Sequence, residues 1–246
     1  MNDEKKAGPP ATPDLPPPPP EEFPRTFGNY LLLAPLARGG MGEVFLAKHG
    51  TVAGLEKHCV VKTLRPHLTD DREYTTRFID EARIVVQLNH RNICHVFDVG
   101  AVGERYYLAM EYIAGRDLRT VTWNVGEHGG VLNPGLALHC VCEVLEALDY
   151  AHRHADAATG RPLLLVHRDV SPQNVMVSWE GEVKLIDFGL AASSLKMEQT
   201  SPNVVMGKLA YMAAEQVRGE KVDGRADQFA VGVLLYELLV GERFYE

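Results

Sequence analysis

His167-Arg168-Asp169 and Asn174 fall in one loop of the sequence, and Asp187-Phe188-Gly189 follows a short apolar run. Asp169 can accept the proton of an incoming hydroxyl, while Asn174 and Asp187 offer the hard oxygen ligands that Mg²⁺ takes. Upstream, Lys62 closes the apolar run Val60-Val61-Lys62, and Glu81 stands in a stretch of helical spacing. An ammonium on a strand can bind the α- and β-phosphates of a nucleotide while a helix carboxylate holds it in place. That pair, taken alone, reads equally well as two unrelated exposed charges. Further upstream, Leu36-Ala37-Arg38-Gly39-Gly40-Met41-Gly42-Glu43-Val44 sets glycines where backbone N–H groups can approach phosphates closely. Alone, such a run is more often only a hairpin. The order and spacing of all the pieces together point to phosphoryl transfer.

Elements must hold these residues in place. Over residues 30–46 apolar residues alternate around the glycines, which predicts two strands and a turn; residues 59–64 predict another strand. Residues 74–88 carry Phe78, Ile79, Ala82, Val85 and Val86 at helical spacing. Residues 93–102 and 105–112 read as strands, with a turn at Gly115. Helices dominate after it. Residues 136–154 form a long amphipathic pattern with Leu138, Val141, Leu145, Leu148 and Ala151 on its apolar face, and an exposed polar loop follows over 156–162. Short strands at 175–177 and 183–186 flank a turn at Glu180-Gly181, and a last helix begins near Arg225. Strands with one helix, then a mostly helical remainder, predict a two-lobed α+β fold. The small β-rich lobe is expected over residues 27–113 and the larger helical lobe over 114–246.

Residues 1–26 are Pro-rich, with Pro16 to Pro20 uninterrupted, and are expected to be an extended or disordered leader. A docking role toward aromatic-grooved domains is the other reading, and a plain flexible leader the preferred one. Among the 246 residues, 33 acidic side chains outnumber 25 Lys and Arg, a net charge of −8 that argues against nonspecific nucleic-acid or anionic-membrane binding. The four cysteines include no C-x-x-C pair, so they read as reduced thiols of a cytoplasmic protein, with Cys140 and Cys142 in a packing role. The longest strongly apolar stretch, residues 229–240, is too short to span a bilayer, and the N-terminus lacks a signal-peptide core.

With these motifs in view, the chain resembles the eukaryotic-type protein kinase superfamily from about residue 28 onward. It looks most like the bacterial Ser/Thr kinases that carry G-G-M-G-E-V-F in the nucleotide loop. The resemblance implies ATP and Mg²⁺ as cofactors and protein Ser or Thr hydroxyls as acceptors, in signalling. It makes Asp169 the catalytic base, Lys62 with Glu81 the activating ion pair, and Asn174 and Asp187 the metal ligands. It also implies that Leu36, Gly39, Gly40, Gly42, Val44, Val60 and Met176 cover phosphates and base. Met110 becomes the gatekeeper, Glu111 to Ile113 the adenine hinge, and Asp117 a ribose contact. Val85, Val96, Phe188 and His167 match the stacked residues that couple the lobes. Asp227 matches the helix residue that bonds the catalytic-loop backbone. Arg168 before the catalytic Asp implies control by phosphorylation of the activation segment, with Ser193, Ser194, Thr200 and Ser201 as candidate sites, autophosphorylation included.

The pattern is broken in five places. Ala37 replaces the first loop glycine, Val60 the usual alanine above adenine, and Ala214 the proline of A-P-E. Ser171 stands where the family's Ser/Thr kinases place lysine, and Lys208 where they place threonine. Lys208 is therefore expected either to supply the absent cation from the activation segment or simply to face solvent. Finally, the family has several more helices after the one at residue 229, so the chain reads as a fragment, a truncated product, or a protein completed by a partner. Two other readings stay open: a catalytically silent scaffold, disfavoured by the retained Lys62, Asp169 and Asp187, and a small-molecule phosphotransferase, disfavoured by a peptide-positioning segment over 207–215.

Overall fold

The computed structural model describes residues 22–38, 42–50, 54–64, 72–155, 159–163, 165–188 and 209–245. The small lobe is a six-stranded sheet, ordered β1-β2-β3-β4-β6-β5, with every neighbouring pair antiparallel. Its strands are β1 (Arg25–Phe27), β2 (Tyr30–Arg38), β3 (Gly42–His49), β4 (Lys57–Leu64), β5 (Val96–Val102) and β6 (Arg105–Glu111). Helix α1 (Arg72–Val85) packs Phe78, Ala82 and Val85 toward the core, as its spacing predicts. Val86, counted with that face, is exposed just past the helix end.

Two differences from expectation stand out here. Strand β1 begins inside the stretch assigned to the leader: Phe23 and Phe27 pack on the sheet, and the Arg25 guanidinium lies 5.3 Å and 5.4 Å from the Phe23 and Phe45 ring centres. Cation–ring attraction and buried aromatic area account for ordered chain in so polar and Pro-rich a context. The strand expected from residue 93 begins instead at Val96. Ile93 bridges to Leu185 of the other lobe, and Cys94 N–H donates to the Leu185 carbonyl at 2.9 Å.

The large lobe opens with β7 (Gly115–Asp117), which pairs with β8 (Val175–Ser178) and through it with β9 (Val183–Leu185). Helices α2 (Leu118–Glu127), α3 (Pro134–Arg153), α4 (Ala214–Val217) and α5 (Gly224–Val240) complete it. Side-chain caps fix three helix starts. Asp117 accepts from Thr120 N–H at 2.9 Å, Asn133 from Gly135 N–H at 2.8 Å, and Asp223 from Arg225 N–H at 3.0 Å. Helix α5 ends at Gly241, whose φ of 79° a side chain would resist.

Helix α3 buries Ala137, Cys140, Val141, Val144, Ala147, Leu148 and Ala151, and packs against α5. Small residues let the two backbones approach closely, so the buried face is shifted from the one expected. Leu138 and Leu145 are exposed, and so is Cys142, whose packing role falls away while that of Cys140 holds. Phe229, Tyr236 and Leu239 of α5 remain more than a third exposed. One continuous core runs from Phe78 and Val85 of the small lobe through Leu185 to Val144 and Leu234 of the large lobe. Among the described residues no helix is long and apolar enough to cross a membrane.

Candidate active site

Lys62 sits on β4 with its neighbours Val61 and Thr63 turned to the opposite face, so its stem lies on the inner face of the sheet. Its ammonium meets Asp187 Oδ1 at 2.8 Å, a contact between lobes 125 positions apart in sequence. The resemblance pairs Lys62 with Glu81. Glu81 lies on α1, but its side chain is outside the described residues, and the partner the structure gives Lys62 is Asp187.

Asp187 has φ 61° and Arg168 φ 67°, the left-handed region that costs a side-chain-bearing residue about 1–3 kcal/mol. Both stay there because flanking bonds over-determine them. Around Arg168, His167 N–H and Arg168 N–H each donate to Asp227 at 2.8 Å, as expected of that residue, and Asp227 is 1% exposed. His152 Nε2 lies 2.8 Å from the same carboxylate. The His167 ring donates from Nε2 to the Ile186 carbonyl at 2.9 Å and accepts from Asp169 N–H on Nδ1 at 3.2 Å, which fixes its neutral tautomer. It also meets the Phe188 ring edge-on at 4.6 Å. Phe188 in turn lines a small cleft with Val85 and Val96, so the four stacked residues form a buried column between lobes.

Asp169 and Asn174 are held together as the loop spacing requires. Asn174 Nδ2 donates to the Asp169 backbone carbonyl at 2.7 Å and to Oδ2 at 3.0 Å. The Asn174 carbonyl accepts from Ile186 N–H at 2.9 Å, which ties the catalytic loop to the residue before Asp187. Asn174 and Asp187 thus stand on backbone segments joined by that bond. That donor set fits magnesium, which is usually held by one or two protein oxygens plus substrate phosphates. Among the described residues no group of three or more His, Cys, Asp and Glu gathers into a metal cage.

The residues that the resemblance assigns to the nucleotide are spread over both lobes. Val60 pairs with Met110, and Val44 with Lys62, across the sheet; Met176 pairs with Asp117 on the other lobe. Leu36 is half exposed on β2, and Met110 and Ile113 are buried. Gly39 and Gly40 lie outside the described residues. Gly42 has a packing reason to be glycine, because a Cβ there would sit 1.9 Å from the Thr63 carbonyl oxygen. The Asp117 carboxylate takes both the N–H and the hydroxyl of Thr120, so a ribose contact would share it with the α2 cap. Lys208, Ser193, Ser194, Thr200 and Ser201 lie outside the described residues.

Several contacts around the site left no signal in the sequence. Glu111 accepts from Lys184 at 3.0 Å and 3.1 Å and from His95 N–H at 2.8 Å. Its carboxylate is therefore spent within the protein, and its backbone N–H donates to the His95 carbonyl at 2.9 Å. Gln216 donates to the Arg168 carbonyl at 2.9 Å. The Arg168 Nε is buried and has no acceptor among the described residues. Partners tens of residues apart, with no shared motif, explain why these were missed.

A β-rich lobe and a helical lobe joined by a buried column, with a cross-lobe lysine–aspartate pair beside a loop aspartate, define a protein kinase domain. Residues 30–246 match the protein kinase domain family, to which the chain belongs. It is similar to bacterial kinases: 41% identical over 88% of its length to the tyrosine-protein kinase MasK of Myxococcus xanthus, and 40% over 89% to the probable serine/threonine-protein kinase SCO3848 of Streptomyces coelicolor. PknL of Mycobacterium tuberculosis, a serine/threonine-protein kinase, is 37% identical over 87% of the chain. The chain covers 33%, 31% and 49% of these relatives. The crystal structure of the Mycobacterium tuberculosis PknI kinase domain superposes with a TM-score of 0.67 at 32% identity, over 91% of this chain and 79% of that one.

Proposed function

We propose that the protein transfers the γ-phosphoryl group of ATP to Ser or Thr hydroxyls of proteins in bacterial signalling, in the cytoplasm and with magnesium. The observation that carries this reading is that the Lys62–Asp187 pair and the Asp169–Asn174 pair stand on segments joined by the Ile186 N–H to Asn174 carbonyl bond. Asp169 takes the proton of the attacking hydroxyl as its oxygen bonds to the γ-phosphorus and the bond to the ADP oxygen breaks. Lys62 holds the α- and β-phosphates, and the hinge backbone from Glu111 to Ile113 holds the base. Asn174 and Asp187 would hold the magnesium, which neutralises charge on the phosphates. Regulation by a phosphate on Ser193, Ser194, Thr200 or Ser201 is supported by Arg168, whose buried Nε calls for an acceptor.

A second reading, tyrosine as the acceptor, is favoured by the relative named as a tyrosine kinase and by Ser171, a short buried residue where the Ser/Thr pattern has lysine. The test is incubation of the purified protein with Mg-ATP labelled on the γ-phosphate and a mixed protein acceptor, followed by phosphoamino acid analysis. Label on Ser and Thr, lost in Asp169→Asn and with chelator, is the expected result. Label on Tyr alone supports the second reading, and no label transfer at all overturns both.

A further inference from the structure

The peptide unit that launches Asp169 is gripped on both edges. Its N–H, that of Asp169, donates to His167 Nδ1 at 3.2 Å, and its C=O, that of Arg168, accepts from Gln216 Nε2 at 2.9 Å. Arg168 is in the left-handed region, so its carbonyl direction is not one the chain would hold unaided. The buried Asp227 of helix α5 fixes the preceding N–H groups. Among the described residues Gln216 is the side chain that bonds the following carbonyl, and it arrives from a different place, the four-residue helix α4.

The Gln216 amide has no ambiguity of orientation. Its Oε1 accepts from Ala213 N–H at 3.1 Å while its Nε2 faces the Arg168 carbonyl. A flipped amide would set N–H against N–H and C=O against C=O. One side chain therefore caps the start of α4 and clamps the catalytic loop in the same act.

We propose that Gln216 is a positioning residue for Asp169, making the aim of the base depend on the docking of α4. The coupling acts through a neutral amide, not through an ion pair. The inference rests on the kinase reading above, in which Asp169 is the base.

The decisive variant is Gln216→Glu in the full-length protein. It keeps an acceptor for Ala213 N–H and replaces the donor with an oxygen that repels the Arg168 carbonyl. Two readouts are needed. The turnover number should fall about tenfold or more, as small misplacements of a reacting group do, with KM for ATP unchanged within about twofold. Hydrogen exchange of the peptide covering residues 165–170 should speed up about tenfold while that of α5 stays as in wild type. Gln216→Met, of similar volume, should show the same pattern and guards against a folding defect peculiar to the charge. Unchanged exchange over 165–170 in both variants overturns the proposal. So does loss of turnover accompanied by faster exchange throughout α5, which marks a merely structural role. Should the wild type transfer no phosphoryl group, the kinase reading fails, and the exchange measurement still decides whether Gln216 holds the loop.

Discussion

The six-stranded sheet carries a carboxylate-centred polar cluster on each face, and the two are built differently. On the outer face, Tyr30 and Tyr107 both donate to Asp98 Oδ2, at 2.5 Å and 2.9 Å, beneath Phe27 and beside one another edge-to-face. All three side chains belong to one lobe. Burial, then the bond to Asp98, pushes both phenols up, Tyr107 to about 12. On the inner face, Lys62 and Asp187 come from different lobes and stay partly exposed, at 15% and 32%. The outer cluster is closed within a single lobe and contributes stability. The inner one is assembled only when both lobes meet, and it leaves charge accessible to a ligand. Proximity of polar groups is common to both; assembly across the cleft is what separates the site.

The contrast can be broken by substitution. Asp169→Asn should lower phosphoryl transfer on the order of 10²–10⁴-fold, measured by initial rates, with the melting temperature nearly unchanged. If it turns over near the wild-type rate, Asp169 is not the base. Next in size, Lys208→Thr should cost roughly 10²-fold in turnover if that lysine supplies the charge missing at Ser171, as losing one placed donor does. Adding Ser171→Lys should then recover much of it; a harmless single variant means Lys208 faces solvent. On the outer face the pattern inverts. Asp98→Leu should leave both phenols without their acceptor and cost about 1–3 kcal/mol in denaturant unfolding, with ATP affinity kept.

The smallest effect is one of pH. Tyr107 ionises above its ordinary value of 10.0 in the folded state, so the unfolded chain loses that proton first. The stability it contributes is present below pH 10 and is lost as pH rises toward 12. Thermal melts across that window should fall more steeply for wild type than for Tyr107→Phe. Parallel slopes would detach the phenol from the pH response.

Much of the inner face was legible in the sequence because kinase chemistry fixes residue types at short spacing. His167, Asp169, Asn174 and Asp187 lie in one loop and the turn after the next hairpin, and the loop's own bonds join His167, Asp169 and Asn174 to one another. The outer face was illegible for the opposite reason. Tyr30 and Asp98 lie 68 positions apart, on strands that do not pair, and meet only in the folded sheet. Helix α3 shows a subtler limit: its periodicity was plain, yet Ala137, Cys140 and Ala147 form its buried face while Leu138 and Leu145 do not. Hydrophobicity located the helix, and the need for close backbone approach to α5 chose its rotation. Strand β1 escaped because its stabilising contacts, Phe23 and Arg25 on Phe45, are tertiary.

Cys94 lies directly behind Met110, in a cleft of about 10 Å³ shared with Val96 and Phe188. Burial holds its thiol far above the ordinary cysteine range, so little thiolate forms there at neutral pH. For inhibitor design this sulfur is a contact surface and not a reactive handle. An electrophilic warhead aimed past Met110 would find it chemically mute.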